Sequence, residues 1–526
     1  MRPFTRVGKK AALLAAIFLC MGAVSYQEVY LKGLWARIHP SSLRDLLCFF
    51  HLYPGNSAYN NKNLKEFLGI SLSENSFKQV QESLLISIVD MPKEKKEALV
   101  PLDPLTLEWI KKRAEEKLEP RSNYLCVESL DELLKVDPSK WDLAQVAWIA
   151  SAYPKLNKAS AQEMEQYLAR IDLLALSVVF AIEQEPVEKE RLAQAQIEKL
   201  NQIIFQEQGF EFPPLLDHES QIDKYTSVPS MLSSKRGVCL GASVLYLAIA
   251  QRLGLKLDIV TPPGHIYLSY LLPEGYRRNI ETTASGMDLP EEIYRPLQKN
   301  RLVYRDLKEL PGLILMNTAS VLLGNQQFAE ASKIYDKAIA FFNKETSFFI
   351  SEFNAVCQWL SNYPGALQNA GLLLKEYRGL NQERLITWDP LLLEEIVGQV
   401  IGQEPVKLAL SSVIEEPASY QKLLLELGRL SNMYPRSKWL KSQMAITAWK
   451  LNQEARAYFL WPFGASSSSS FLWLGAQLSM QVGQLDRAMT CMNELSKKLS
   501  AEDTAPMTPF RLMYVQLCEE AILNKN

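Results

Sequence analysis

Residues 235–270 read KRGVCLGASVLYLAIAQRLGLKLDIVTPPGHIYLSY, and RRNIETTASG follows at 277–286. From Cys239 to about Leu253 the chain is apolar on nearly every face. Leu240, Val244, Leu247 and Ala248 lie on one side, and Ile249 and Leu253 extend it. Such a run predicts a buried central helix, with Gly254 placed to terminate it. LDIVTPP and HIYLSYLL then predict strands, PEGYRR a turn, and RRNIETT a third strand. One helix on an antiparallel sheet makes a small α+β core. On that core the chain sets three groups in order: Cys239 at a helix start, His265 at a strand start, and Glu281 on the next strand. With four histidines in the chain, the choice of imidazole is narrow.

The chemistry explains why these residue types would be wanted in this order. A thiol is a weak nucleophile until it loses its proton. A helix N-terminus presents unpaired N–H groups and a partial positive charge, which favour a thiolate. Gly237 lets backbone approach closely at the turn before that helix. A neighbouring imidazole can take the thiol proton and later return it to a leaving amine. His265 follows Pro262-Pro263-Gly264, a stiff lead-in for the ring. A carboxylate on the far ring nitrogen would orient it. Glu281 is the candidate, and Asp288, in a predicted loop, is the alternative. Singly, each has an ordinary reading: Cys239 as a core cysteine, His265 as a strand-edge histidine, Glu281 as a solvent-facing strand residue. Their joint order points to a Cys-His-acid catalytic site. No metal or cofactor site is indicated.

Upstream, WDLAQVAWIASAYP (141–154), SAQEMEQYLARIDLLALSVVFAIEQ (160–184) and PVEKERLAQAQIEKLNQIIFQEQGF (186–210) each have the apolar spacing of a helix. EFPPLLDHESQIDKYTS (211–227) reads as a loop. After about Pro311 the chain is helical again. Ala319, Leu322, Phe328, Ala331, Tyr335 and Ala338 fit tetratricopeptide spacing, and Leu472, Ala476, Leu485, Ala488 and Met492 fit it again. The stretches around Tyr363 and from Trp439 to Tyr458 fit it more poorly. GASSSSS, between Phe463 and Phe471, reads as a flexible break. The organisation expected is a leader or anchor at 1–25, a helical region of unassigned role at 26–138, the core with its helical layer at 139–311, and helical repeats at 312–526.

The 526 residues suffice for about three or four domains. A net charge of −2 gives no reason to expect nucleic acid as a main partner. MRPFTRVGKK carries four positive charges and no acid, and AALLAAIFLCMGAVS (11–25) follows. A span needs roughly twenty apolar residues, so this run reads as a cleaved signal peptide, with an uncleaved anchor the alternative. Both imply an exported protein, periplasmic or in the cell envelope, that meets the membrane only if the segment stays attached. The seven cysteines (20, 48, 126, 239, 357, 491 and 518) show no CxxC and no regular spacing, so neither a zinc site nor a disulfide framework is indicated.

Residues from about Trp141 to Tyr304 resemble the bacterial transglutaminase-like-core family, in which a helical layer precedes the core and tetratricopeptide repeats follow it. WDLAQVAWIASAYPKL, YLARIDLLA, LNQIIFQEQGF, LSSKRGVCLGASVLYLAIAQRLGL and TPPGHIYLSY carry the resemblance, over about a third of the chain. In the wider superfamily Gly-x-Cys, then His, then an acid marks the catalytic triad, and that pattern falls on Cys239, His265 and Glu281. The resemblance implies a mainly helical α+β protein with a small papain-like core, and acyl transfer or hydrolysis at an amide through a thioester on Cys239. Many members of this bacterial branch lack the cysteine, which this chain has. The superfamily acid is usually aspartate, whereas Glu281 is one methylene longer. Two readings follow: an enzyme acting on a peptide or protein, or a non-catalytic scaffold whose repeats bind a partner protein.

Overall fold

A computed structural model describes residues 31–53, 62–68, 80, 82–84, 101–153, 161–185, 187–213, 225–262, 264–294, 302–379, 390–411, 416–466 and 468–497. The expected leader or anchor at 1–25 lies outside them. Among the described residues no helix is long and apolar enough to cross a membrane. The chain is mainly helical, with one small sheet. It divides into two compact units. One comprises Met1–Glu94, Val100–Glu119 and Asp172–Gly209, and the other Lys95–Leu99, Pro120–Ile171 and Phe210–Asn526.

The first unit is helical. Ser42 caps the helix Leu43–Leu52, whose Leu43, Leu46, Leu47, Phe49 and Phe50 are buried. Asp103 caps Pro104–Lys117, with proline in the first turn, where its missing N–H costs nothing. Phe67 meets Phe180 edge-on at 4.8 Å, and the indole N–H of Trp109 donates to the Leu68 carbonyl at 2.7 Å.

The second unit holds the α+β core. Its helices are α1 (Leu143–Ala152), α2 (Val228–Ser234) and α3 (Cys239–Arg252). The strands are β1 (Asp258–Thr261), β2 (Tyr267–Leu271), β3 (Arg277–Ile280) and β4 (Val303–Arg305). They form one antiparallel sheet in the order β3-β2-β1-β4. Ile259 pairs with Leu268, and Leu268 with Ile280, so a row of fully buried side chains crosses the sheet. The fourth strand is not expected from sequence. It is three residues long and largely exposed, so it lacks the apolar alternation that marks a strand.

Helix α3 is buried from Leu240 to Ala250, as its apolar run predicts. Its C-terminal end is locked to α1. The Arg252 guanidinium, fully buried, donates to both carboxylate oxygens of Asp142 at 2.9 and 2.7 Å. Asp142 in turn caps α1 through Ala144 N and Gln145 N. The Gln251 amide accepts from Leu143 N and donates to the Trp141 carbonyl. At the other end, Tyr225 and Thr226 lie across the first turn of α3. A Cβ on Gly241 would stand 2.7 Å from the Tyr225 carbonyl, so that close approach requires glycine.

A single helical turn, α4 (Glu291–Tyr294), precedes β4, and beyond the sheet the chain continues as packed helices, beginning with α5 (Leu310–Gly324) and α6 (Phe328–Ile339). Helix α5 packs on α1 as well as on α6. Five later turns share one geometry. Gln326, Asn362, Gln399, Asn452 and Gly483 are left-handed. In each case the next residue's N–H reaches back to the carbonyl four residues before the left-handed one: Gln327 to Leu322, Tyr363 to Gln358, Val400 to Glu395, Gln453 to Ala448, Gln484 to Ser479. This is the Schellman closure of a helix C-terminus. After three of the turns a glutamine leads, four residues on, to a buried alanine: Ala331, Ala457 and Ala488. The stretch from Trp439 to Tyr458, a poor match by spacing, therefore closes with the same turn as its neighbours. The serine run departs from expectation: Ser468 caps the helix Ser469–Gln481 by accepting from Phe471 N, so its last serines are helical rather than a break.

Candidate active site

Cys239 is the first residue of α3 and is partly exposed, while Val238 and Leu240 on either side are buried. Val238 holds extended backbone, and its N–H donates to the Tyr225 carbonyl at 2.9 Å. Just upstream, Glu211 N donates to Lys235 O and Gly237 N to Glu211 O, which ties the lead-in to a parallel bridge. At Gly237 the close neighbour is a side chain rather than backbone. The thioether of Met231 occupies the place a Cβ would take.

His265 lies two residues before β2 rather than in it. A turn closed by His265 N to Pro262 O, at 3.1 Å and with Gly264 left-handed, delivers the ring to the sheet's end. Glu281 likewise lies one residue past β3. Its backbone bridges to Met287, and its side chain caps the short turn Thr282–Ala284 through Thr283 N. Both side chains thus leave the pleat at strand ends, where neighbouring strands no longer dictate their direction.

The structure brings the three groups together. The Cys239 thiol lies close enough to the His265 ring to favour its protonated form. Its Nε2 meets Glu281 Oε2 at 2.7 Å, which leaves Nδ1 for the sulfur. The carboxylate is 4 % exposed and fully engaged. Oε1 accepts from Thr283 N at 3.0 Å and from Thr283 Oγ1 at 2.5 Å, and Oε2 also accepts from the Tyr294 hydroxyl at 2.6 Å. Asp288 does not reach the ring. Its Oδ1 accepts from Asn279 N and ties the following loop to β3.

Electrostatics follow from these contacts. Burial works against a charged imidazole, but the hydrogen bonds and charges of Cys239 and Glu281 outweigh it and hold His265 up at about 10. Burial pushes the Glu281 carboxyl up, yet the bonds from His265, Thr283 and Tyr294 and the ring's charge outweigh that and hold it down at about 2. Burial, then the bond to Glu281, keeps the Tyr294 phenol well above the usual tyrosine range, so it stays a neutral donor. The arrangement can carry a proton from sulfur to ring, with a fixed carboxylate balancing the charge that results.

Sequence reasoning missed Thr283 and Tyr294. A threonine two residues after an acid is a legible capping signal. Tyr294 arrives from a one-turn helix thirteen residues on, with nothing local to mark it. A cleft of about 510 Å³ opens near this loop, lined by Arg277, Asn279, Asp288, Pro290 and Glu291 and by none of the three groups above.

A family model described as the transglutaminase-like superfamily (Transglut_core2) matches residues 165–304, a stretch that contains Cys239, His265 and Glu281. No curated protein matches the chain.

Proposed function

With a transglutaminase-like superfamily domain at residues 165–304 as its premise, we propose that Cys239, His265 and Glu281 form a catalytic triad for thiol-dependent acyl transfer or hydrolysis at an amide. One observation carries this reading: a single imidazole is bonded to a buried carboxylate and stands near a thiol at a helix start. Nδ1 takes the thiol proton, and sulfur attacks the amide carbon. The first N–H groups of α3 have no acceptor within the helix, and in this reading that of Cys239 donates to the oxyanion. His265 returns its proton to the leaving amine as the C–N bond breaks, leaving a thioester on Cys239. Water or an amine then displaces the sulfur, its proton passing back to Nδ1. Glu281 keeps the ring oriented through both halves.

The test is trapping. The parent chain, offered a glutamine-containing peptide and a fluorescent primary amine, should accumulate labelled product or lose the amide, and Cys239→Ser should do neither. Equal turnover by both proteins would sink the assignment.

A second reading is favoured by the recurring helical turns. Tetratricopeptide-like hairpins from about Gly312 onward would bind a peptide or partner protein along their stacked surface. If that is the whole function, Cys239→Ser retains partner affinity and every cellular role of the parent. Export by residues 1–25 belongs to the same proposal, and fractionation of the tagged chain tests it.

A further inference from the structure

We infer that Tyr294 is a positioning residue of this site, acting on His265 through Glu281; the inference rests on the triad reading above. Three independent contacts carry it. The Tyr294 hydroxyl donates at 2.6 Å to Oε2, the same oxygen that His265 Nε2 meets at 2.7 Å. The Tyr294 ring lies within 14° of parallel to the His265 ring, with centroids 5.9 Å apart. It is itself fixed against Tyr267 of β2, at 4.2 Å and 16°. The Tyr294 ring is thus nearly parallel to both, and its hydroxyl holds the acid.

The carboxylate shows what this arrangement achieves. Each of its oxygens offers two lone pairs. Thr283 occupies both directions at Oε1 through its N–H and hydroxyl. Tyr294 takes one direction at Oε2 and leaves the other facing His265. With the phenol in place the carboxylate cannot rotate about its last torsion without losing a bond to a charged group. The extra methylene of glutamate over aspartate makes that restraint useful, because a longer side chain has one more torsion to fix. Tyr294 reaches this position because its loop is pinned to β3, through Asn279 N to Asp288 Oδ1 at 2.9 Å and Asn279 Nδ2 to the Leu289 carbonyl at 2.8 Å.

The experiment is a double-mutant cycle on the full chain, read as the iodoacetamide rate at Cys239 by peptide mass spectrometry near neutral pH. Tyr294→Phe keeps the ring stack and removes the donor. It should slow the reaction about tenfold, the loss expected from one hydrogen bond to a charged group. In a Glu281→Gln background the same change should have no effect, because the phenol acts only through that carboxylate. Tyr294→Leu, which also removes the stack, should slow it further; should that variant fail to fold, Tyr294→Phe carries the test alone. An unchanged or faster rate in Tyr294→Phe, or an equal slowing in both backgrounds, overturns the positioning role and leaves the triad intact. A parent rate no faster than that of His265→Ala overturns the triad reading, and the positioning role with it.

Discussion

Two buried glutamates in the second unit invite comparison, Glu281 beside the sheet and Glu395 among the later helices. Both are nearly inaccessible, at 3 % and 5 % exposure. Both are paired by short bonds, as a buried carboxylate must be. Glu395 accepts from Ser437 Oγ at 2.5 Å and from the backbone N–H groups of Lys438 and Trp439 at 2.6 and 2.9 Å. It is an N-terminal cap supplied by a neighbouring helix, and its donors never give up their protons. Glu281 receives similar donors from Thr283 and Tyr294, but its fourth partner is an imidazole that also stands near a thiol. Burial and full pairing therefore do not distinguish a capping acid from one set beside an imidazole and a thiol. The distinguishing mark is a donor whose proton can move.

The widest separation between the two should come from His265→Ala. Iodoacetamide reactivity at Cys239 near neutral pH should fall about 10²- to 10⁴-fold, the range a positioned acid–base group supplies. Glu395→Ala should leave that rate unchanged. A fall in both would mean that the rate reports global stability, and the contrast would be lost. In the opposite direction, Glu395→Ala strands two backbone donors and a hydroxyl and should destabilise the fold by about 1–3 kcal/mol, seen as a lower urea midpoint. Gly241→Ala tests whether helix position matters apart from charge. The added methyl must displace the Tyr225 carbonyl, at a cost of about 1–3 kcal/mol from overpacking. Because Tyr225 O also holds Val238, one residue before the thiol, the Cys239 rate should drop too.

The smallest effect is the dependence of stability on pH. Folding favours ionised Glu281, so its contribution is complete above its ordinary 4.5 and lost as pH falls through about 2. Folding favours protonated His265, so its contribution is complete below its ordinary 6.5 and lost as pH rises through about 10. The stability difference between the parent and Glu281→Gln should therefore be greatest between those two ordinary values and shrink on either side. Its size is limited because the ring is 28 % exposed and water screens it. Urea midpoints measured across the range check it, and a difference that keeps growing above pH 10 contradicts it.

Much of this was legible in the chain. The apolar run from Leu240 to Ala250 could bury itself only as a central helix, and Gly237-Val238-Cys239 marked where that helix begins. Pro262 and Gly264 announced a turn before His265. Strand edges were less legible: His265 and Glu281 both fall just outside their strands, because four or five residues do not define an end. The Asp142–Arg252 pair was invisible, since nothing within a window of sequence links residues that meet from two helices.

By itself, the sequence determined which residues could do chemistry and on which kinds of element they sit, because periodicity, glycine and proline act through neighbours along the chain. Only the tertiary structure decided which acid faces the ring, since Glu281 and Asp288 differ by seven positions and one of them spends its oxygen on Asn279 N instead. It alone supplied Tyr294 and the stack of rings that holds it. Such contacts are set by where strand ends and a pinned loop converge in space, which hydrogen-bond partners far apart in the chain decide together.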